Sequence, residues 1–357
     1  MLRIGSRTQL TRSLLRLGLA RSFATCSYHL QTTARIDPNA PSQPFGIDKT
    51  IEHNTRSETN RLAKTGKRFW NSSGVFFNSK TKNYEIQLDG KTLRTPLGFP
   101  LALPESKQQL AYLVAHEWTN LPNISVKSSA LPLTELASRA IDLDRKDQVA
   151  EAEREKAENV IAVEDLKVGM LRYLDTDTCL IFAGKKDCDG KLRVKQEEIY
   201  PPLIKECEEF FTTFGRKNQI LEESEEITLR SLDCEKDGLR GNTQDHKTQE
   251  LVLRWLDELD IFELVALEKT VLTTKSFLCG VSLLRSNVSD PARMQSVFQV
   301  NKDTSDAFWY KTVQEIIELG NLETIMQTGE WGEVEDTHDV EQRHWLRSLA
   351  SAALVSH

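Results

Sequence analysis

Residues 84–95 read Tyr84-Glu85-Ile86-Gln87-Leu88-Asp89-Gly90-Lys91-Thr92-Leu93-Arg94-Thr95. Tyr84, Ile86 and Leu88 alternate with polar residues, the two-residue period of a strand with one buried face. Asp89-Gly90 then interrupts the run, and both residue types tolerate the positive φ that a type I′ turn demands. The stretch predicts two antiparallel strands joined by a tight hairpin, with Gly90 as the residue on which the turn depends.

Working outward, Val75-Phe76-Phe77 supplies a preceding strand, and Leu97 to Leu103, broken by Gly98 and Pro100, supplies a further turn and a short strand. Pro104 can open a helix, because its missing N–H costs nothing at the first position. In that helix Leu110, Leu113, Val114, Glu117 and Trp118 share one face, and Trp118 is read as core. Leu131-Pro132-Leu133-Thr134 leads into a second helical piece over 136–142. From Asp142 to Asn159 nearly every second residue is charged, which reads as a solvated helix marking a change of domain.

Beyond that run the periodicity is helical throughout. It predicts a helix from Gln196 to Phe214 with Gly215 as its stop, and another over 251–259. Asp260 and Glu263 have the side chains of a capping box, opening a helix carried to about Asn287, with a further helix over 308–326 that Gly320 can break and a last one over 340–355. Ser286 to Ser305 reads as a loose, polar joint. The fold class is α+β: an amino-terminal antiparallel sheet with helices over 68–143, then an all-α domain over 144–357.

The first 35 residues carry six arginines, no Lys and no acidic residue, with Ser, Thr and Leu filling most of the rest. That composition is a mitochondrial transit peptide. Residues 36–67, rich in Pro, Ser and Asn at their start, read as a flexible linker. Removing the six arginine charges from the net −7 leaves −13 for the remainder, which repels phosphate backbones and argues against nucleic-acid binding. Six cysteines without a C-x-x-C pair give neither a disulfide framework nor a zinc site. No apolar run reaches the roughly 18 residues of a membrane span.

Candidate chemistry is thin. Gly90-Lys91-Thr92 ends like a phosphate-binding loop, but Glu85 stands where its first glycine belongs. His116-Glu117 begins a zinc-protease motif that lacks its second histidine, since position 120 is Asn120. No G-x-S-x-G is present. The densest polar cluster runs from Trp331 through Glu333, Glu335, Asp336, His338 and Asp339 to Glu341. Three readings of it stand side by side: a divalent-cation or acid–base site in a metal-dependent or small-molecule enzyme, a solvated helix start with acids at the positive end of the dipole, or an acidic patch that faces a partner.

Residues 68–141 resemble the amino-terminal domain of the assembly chaperones for the alpha subunit of the mitochondrial ATP synthase catalytic head. The resemblance rests on Arg68-Phe69-Trp70, the run from Leu88 to Pro96, Ala115-His116-Glu117-Trp118, Leu131-Pro132-Leu133-Thr134 and Ala140-Ile141-Asp142. The rest resembles that family through 173–178, Leu264-Val265-Ala266-Leu267-Glu268, Lys275-Ser276 and the segment from Trp331 to Glu341. The resemblance implies a two-domain protein of the mitochondrial matrix with no catalytic activity, no cofactor and no metal. Its client would be the unassembled alpha subunit, whose apolar face it masks until the beta subunit arrives, without becoming part of the finished complex. Such a face left in water aggregates. The family's sensitive acidic position falls on Glu323, the partner-facing set implied is Glu323, Trp331, Glu333, Glu335, Asp336, His338 and Asp339, and Trp118 is implied as a position on which the amino-terminal fold depends.

Overall fold

The computed structural model describes residues 68, 70–121, 130–149, 157–158, 160–238, 241–300, 310–332 and 338–357; the expected transit peptide, the linker and the charged positions 151–156 lie outside them. The hairpin forms as its sequence predicts, with φ of 46° at Asp89 and 77° at Gly90. It joins β2 (Asn83–Leu88) to β3 (Lys91–Thr92). On its other side β2 pairs antiparallel with β1 (Ser73–Asn78), in register from Ser73 opposite Leu88 to Asn78 opposite Asn83. β4 (Ala102–Pro104) also pairs with β2, alongside β3, so β2 is central and β1 is an edge. The Asp89 carboxylate accepts hydrogen bonds from the N–H groups of Asn71 (3.1 Å) and Ser72 (2.9 Å), tethering the entry to the sheet to the turn between β2 and β3.

Pro104 caps a single 3-10 turn at Glu105–Lys107, which leads into α1 (Gln108–Thr119). α1 buries Leu110, Val114 and Trp118 against the face of the sheet that carries Ile86 and Leu88. The ring of Trp118 meets that of Trp70 edge-on at 5.1 Å. α2 (Pro132–Asp144) is buried on nearly every side because it lies between the sheet layer and the helices that follow.

Those helices are α3 (Val163–Asp175), α4 (Lys191–Lys217), a one-turn α5 (Cys234–Asp237), α6 (His246–Glu258), α7 (Ile261–Thr274), α8 (Phe277–Asn287), α9 (Pro291–Ser296), α10 (Val313–Gly320), α11 (Leu322–Trp331) and α12 (His338–Ser356). α7 is buried on nearly every side, as a central helix is, its buried Glu263 and Glu268 paired with Arg293 and Arg139, and it packs on α2, α8 and α12. A second core gathers around Trp255, with Phe210, Phe211, Phe277 and Phe298 edge-on to it at 5.7–6.4 Å. Beneath it Glu206 is buried between Arg285 (3.0 Å) and Lys311 (2.6 Å), a charge that would be costly to leave alone there.

Four readings are corrected. The helix expected over 260–287 is two: Lys275 takes a left-handed φ of 56° and Ser276 caps the second, its hydroxyl accepting from the N–H of Cys279 (3.1 Å). α4 runs through Gly215, where a Cβ would stand 2.6 Å from Leu221 Cδ1; close packing, not helix termination, sets that glycine. The supposed joint after Ser286 buries Met294, Val297, Phe298 and Val300. Asp142, placed at the head of a solvated run, is fully buried and accepts from the N–H of Leu97 (3.3 Å). A two-residue parallel pair, β5 (Ile181–Phe182) with β6 (Leu232–Asp233), also interrupts the helical part and is too short to leave a sequence period.

Lys107 joins the beginning of the fold to its last turn. Its ammonium, buried beneath the sheet layer, donates to the carbonyls of Val355 (3.0 Å), Ser356 (3.1 Å) and His357 (2.8 Å). Among the described residues no helix is long and apolar enough to cross a membrane.

Candidate functional site

α10 opens with a capping box, Thr312 and Glu315 exchanging bonds, and hands over through Asn321 alone to α11. α11 buries Leu322 and half-buries Thr324, Met326, Gln327 and Thr328, with Met326 packed on the core, so the face that carries Glu323, Ile325, Glu330 and Trp331 looks outward. Glu323 lies in its first turn, exposed, accepting one bond from Nε2 of Gln327 one turn on (3.0 Å). At the other end Glu330 pairs with Lys191 at the start of α4 (2.5 Å). Trp331 closes the helix with 71% of its surface in solvent, and Gly332, at φ 87°, stops it. An indole this open is not a core residue, and the side chain is held up on a polar helix.

His338 begins α12 and is half-buried, while Glu333, Glu335 and Asp336, and the side chain of Asp339, lie outside the described residues. The structure therefore brings Glu323, Gln327, Glu330 and Trp331 together on one helix. Among the described residues no three His, Cys, Asp or Glu side chains stand as a metal site.

The remaining motifs meet one another. Glu117 accepts the N–H groups of Leu133 (2.8 Å) and Thr134 (2.9 Å), capping α2 where the helix leaves N–H groups unpaired. Trp118 donates through Nε1 to the Thr134 hydroxyl (3.0 Å). Arg139 grips Glu268 through Nε (2.6 Å) and Nη2, fastening α2 to α7. Asp177 accepts the N–H groups of Cys179 (2.8 Å) and Leu278 (2.9 Å), and Thr178 donates its own N–H to the Lys275 carbonyl (3.2 Å). Burial pushes the carboxyls of Asp142 and Asp177 up to about 6 and that of Glu117 to about 7, but each is occupied by backbone donors of its own fold. These are joints, with no free acid–base pair between them.

One family profile, described as ATP12 chaperone protein, matches residues 67–208. The chain is 39% identical over 315 residues to Protein ATP12, mitochondrial, of Saccharomyces cerevisiae, spanning 88% of this chain and 91% of that protein. The chain belongs to the ATP12 chaperone family. A family member from Schizosaccharomyces pombe, also named as mitochondrial, is 31% identical over 292 residues, covering 81% of this chain and 82% of its own length. The crystal structure of Atp12 from Paracoccus denitrificans aligns with a TM-score of 0.55 at 20% identity, over 82% of this chain and 98% of that one. A putative chaperone from Agrobacterium tumefaciens gives 0.57 at 20%, over 81% and 85%. At that identity the likeness is one of fold, and it extends the ATP12 α+β-then-helical architecture across the described residues.

Sequence reasoning passed over one surface feature. Phe76 and Phe77 are 51% and 40% exposed on the edge strand, with Tyr112 of α1 at 56%. The signal was two consecutive aromatics in a strand, since alternation can bury only one of them.

Proposed function

We propose that the protein is an assembly chaperone that binds the unassembled alpha subunit of ATP synthase in the mitochondrial matrix, covers its apolar interface and releases it to the beta subunit. Membership of the ATP12 family supports the class, and the arginine-rich first 35 residues support the compartment. The observation that carries the reading is the outward-facing α11, with Glu323 at one end and Trp331 at the other, on a chain whose other family motifs are spent on internal joints. Aromatic residues held open on a rigid helix are what a transient interface uses, and a polar surround keeps the grip reversible.

In this reading the protein turns nothing over, needs no cofactor and does not remain in the finished enzyme. The test is to mix the protein lacking residues 1–35 with purified alpha subunit, then add beta subunit. A one-to-one complex with alpha that dissolves on adding beta is expected. Equal retention in the completed catalytic head would overturn it, and a stoichiometric divalent cation in the purified protein would favour the metal-dependent alternative at 333–341.

A further inference from the structure

Among the described residues, the four-stranded sheet guards one edge and pairs no strand with the other. On the β3–β4 side the strands are two and three residues long, and Lys91, Arg94, Pro100 and Pro104 stand along them. Short strands, cations and prolines are the usual means of keeping a foreign strand away. On the other side β1 runs six residues, Ser73-Gly74-Val75-Phe76-Phe77-Asn78, without a proline, a charge or a bulge.

The backbone hydrogen bonds of the sheet fix which groups of β1 are available. Val75 faces Ile86, and Ile86 uses its N–H on the Leu101 carbonyl (3.1 Å) and its carbonyl on the Leu93 N–H (2.8 Å). Both bonds point away from β1, so the N–H and C=O of Val75 cannot be paired with β2. Asp89 N–H donating to the Ser72 carbonyl (3.0 Å) sets the same alternation. Ser72, Gly74 and Phe76 therefore point their backbone at β2, and Val75 and Phe77 point theirs outward. Side chains flank this ladder: Phe77 packs on Tyr84 at 4.8 Å and Tyr84 on Tyr112 at 6.4 Å on the helix side, while Phe76 lies open on the far face.

We infer that the β1 edge is where an extended, apolar segment of the client adds as a further strand, its side chains alternating between the Phe77–Tyr84–Tyr112 cluster and Phe76. The inference rests on the chaperone reading above and names the surface that holds the client's backbone. β1 itself carries no charge, the turn at its end carries Lys80 and Lys82, and Glu85 opposite Phe76 is already held by Asn78 and Thr92, so the fitting occupant is neutral or acidic where it passes the turn. A six-residue edge buries less than the roughly 1,200 Å2 of a stable interface, which disfavours a permanent dimer of this chain and suits a partner that is handed on.

Amide hydrogen exchange on the protein with and without purified alpha subunit tests this. Val75 and Phe77 amides are expected to become protected on binding. Val75→Pro removes an outward N–H that the sheet does not use, and Phe77→Lys places a charge in the aromatic cluster; each should weaken alpha binding about tenfold or more, with the thermal midpoint little changed. Should Val75→Pro unfold the sheet, Phe77→Lys and the exchange pattern still decide. Wild-type binding matched by both variants, without protection at the edge, overturns the inference and leaves the chaperone reading intact. Absence of wild-type binding overturns both, and a dimer through β1 in the absence of alpha overturns the choice of occupant.

Discussion

Thr134 donates both its backbone N–H (2.9 Å) and its hydroxyl (2.8 Å) to a single oxygen, Oε2, of Glu117. The pair locks α1 to the first turn of α2, and its carboxyl is pushed up by burial to about 7 even though three donors face it. The proton is thus held more tightly in the folded chain than in the unfolded one. Between the ordinary carboxyl range and about pH 7 the folded state binds more protons, so this group's contribution to stability is full at low pH and falls as pH rises. Glu117→Gln should remove that slope, its cost relative to wild type being about 2–3 kcal/mol larger at pH 5 than at pH 8. Urea unfolding at the two pH values measures it.

Trp118 and Gly90 both matter to the fold for different reasons. Trp118→Ala empties a fully buried site and removes the indole donor from the Thr134 hydroxyl, which keeps its bond to Glu117, a loss of about 3–5 kcal/mol, while Trp118→Phe keeps most of the packing and loses less. Around Gly90 a Cβ would meet nothing within 4 Å, so only its φ of 77° resists substitution. Gly90→Asn should be tolerated and Gly90→Val should cost about 1–2 kcal/mol, read from thermal midpoints.

Arg139 and Glu268 are the fastening between the sheet layer and the helical core. Removing either partner leaves a buried charge, about 3–5 kcal/mol of destabilisation, whereas Arg139→Met with Glu268→Leu should cost well under the sum. A double-mutant cycle gives the coupling.

Glu323 makes one exposed bond to Gln327, so Glu323→Lys should change stability by no more than about 0.5 kcal/mol. The expectation is a loss of alpha-subunit binding without loss of fold, and Trp331→Ala should behave the same way. Binding titrations beside circular dichroism separate the two effects.

The hairpin, the face of α1 and the Asp260 capping box were legible because each is written in neighbouring residues: a turn dipeptide, a helical period, an acid three places from its partner. The break at Lys275 was not, since a continuous apolar pattern hides a left-handed residue whose cost is met by the Ser276 cap. Asp142 misled because charge in a sequence suggests solvent, while its acceptor role toward Leu97 depends on a residue 45 positions away. The exposed helix at Glu323 and Trp331 was placed by resemblance, and the open edge of β1 by neither period nor motif, because an edge exists only once the order of strands is known.

The ammonium of Lys107 finds its three carbonyls about 250 positions further along the chain. A polypeptide threaded into an organelle head first would present that lysine long before the carbonyls arrive, with nothing yet to offset its loss of water. Burial of that lysine must then wait for residues 355–357, and a product lacking them would have to enclose an ammonium without those three acceptors.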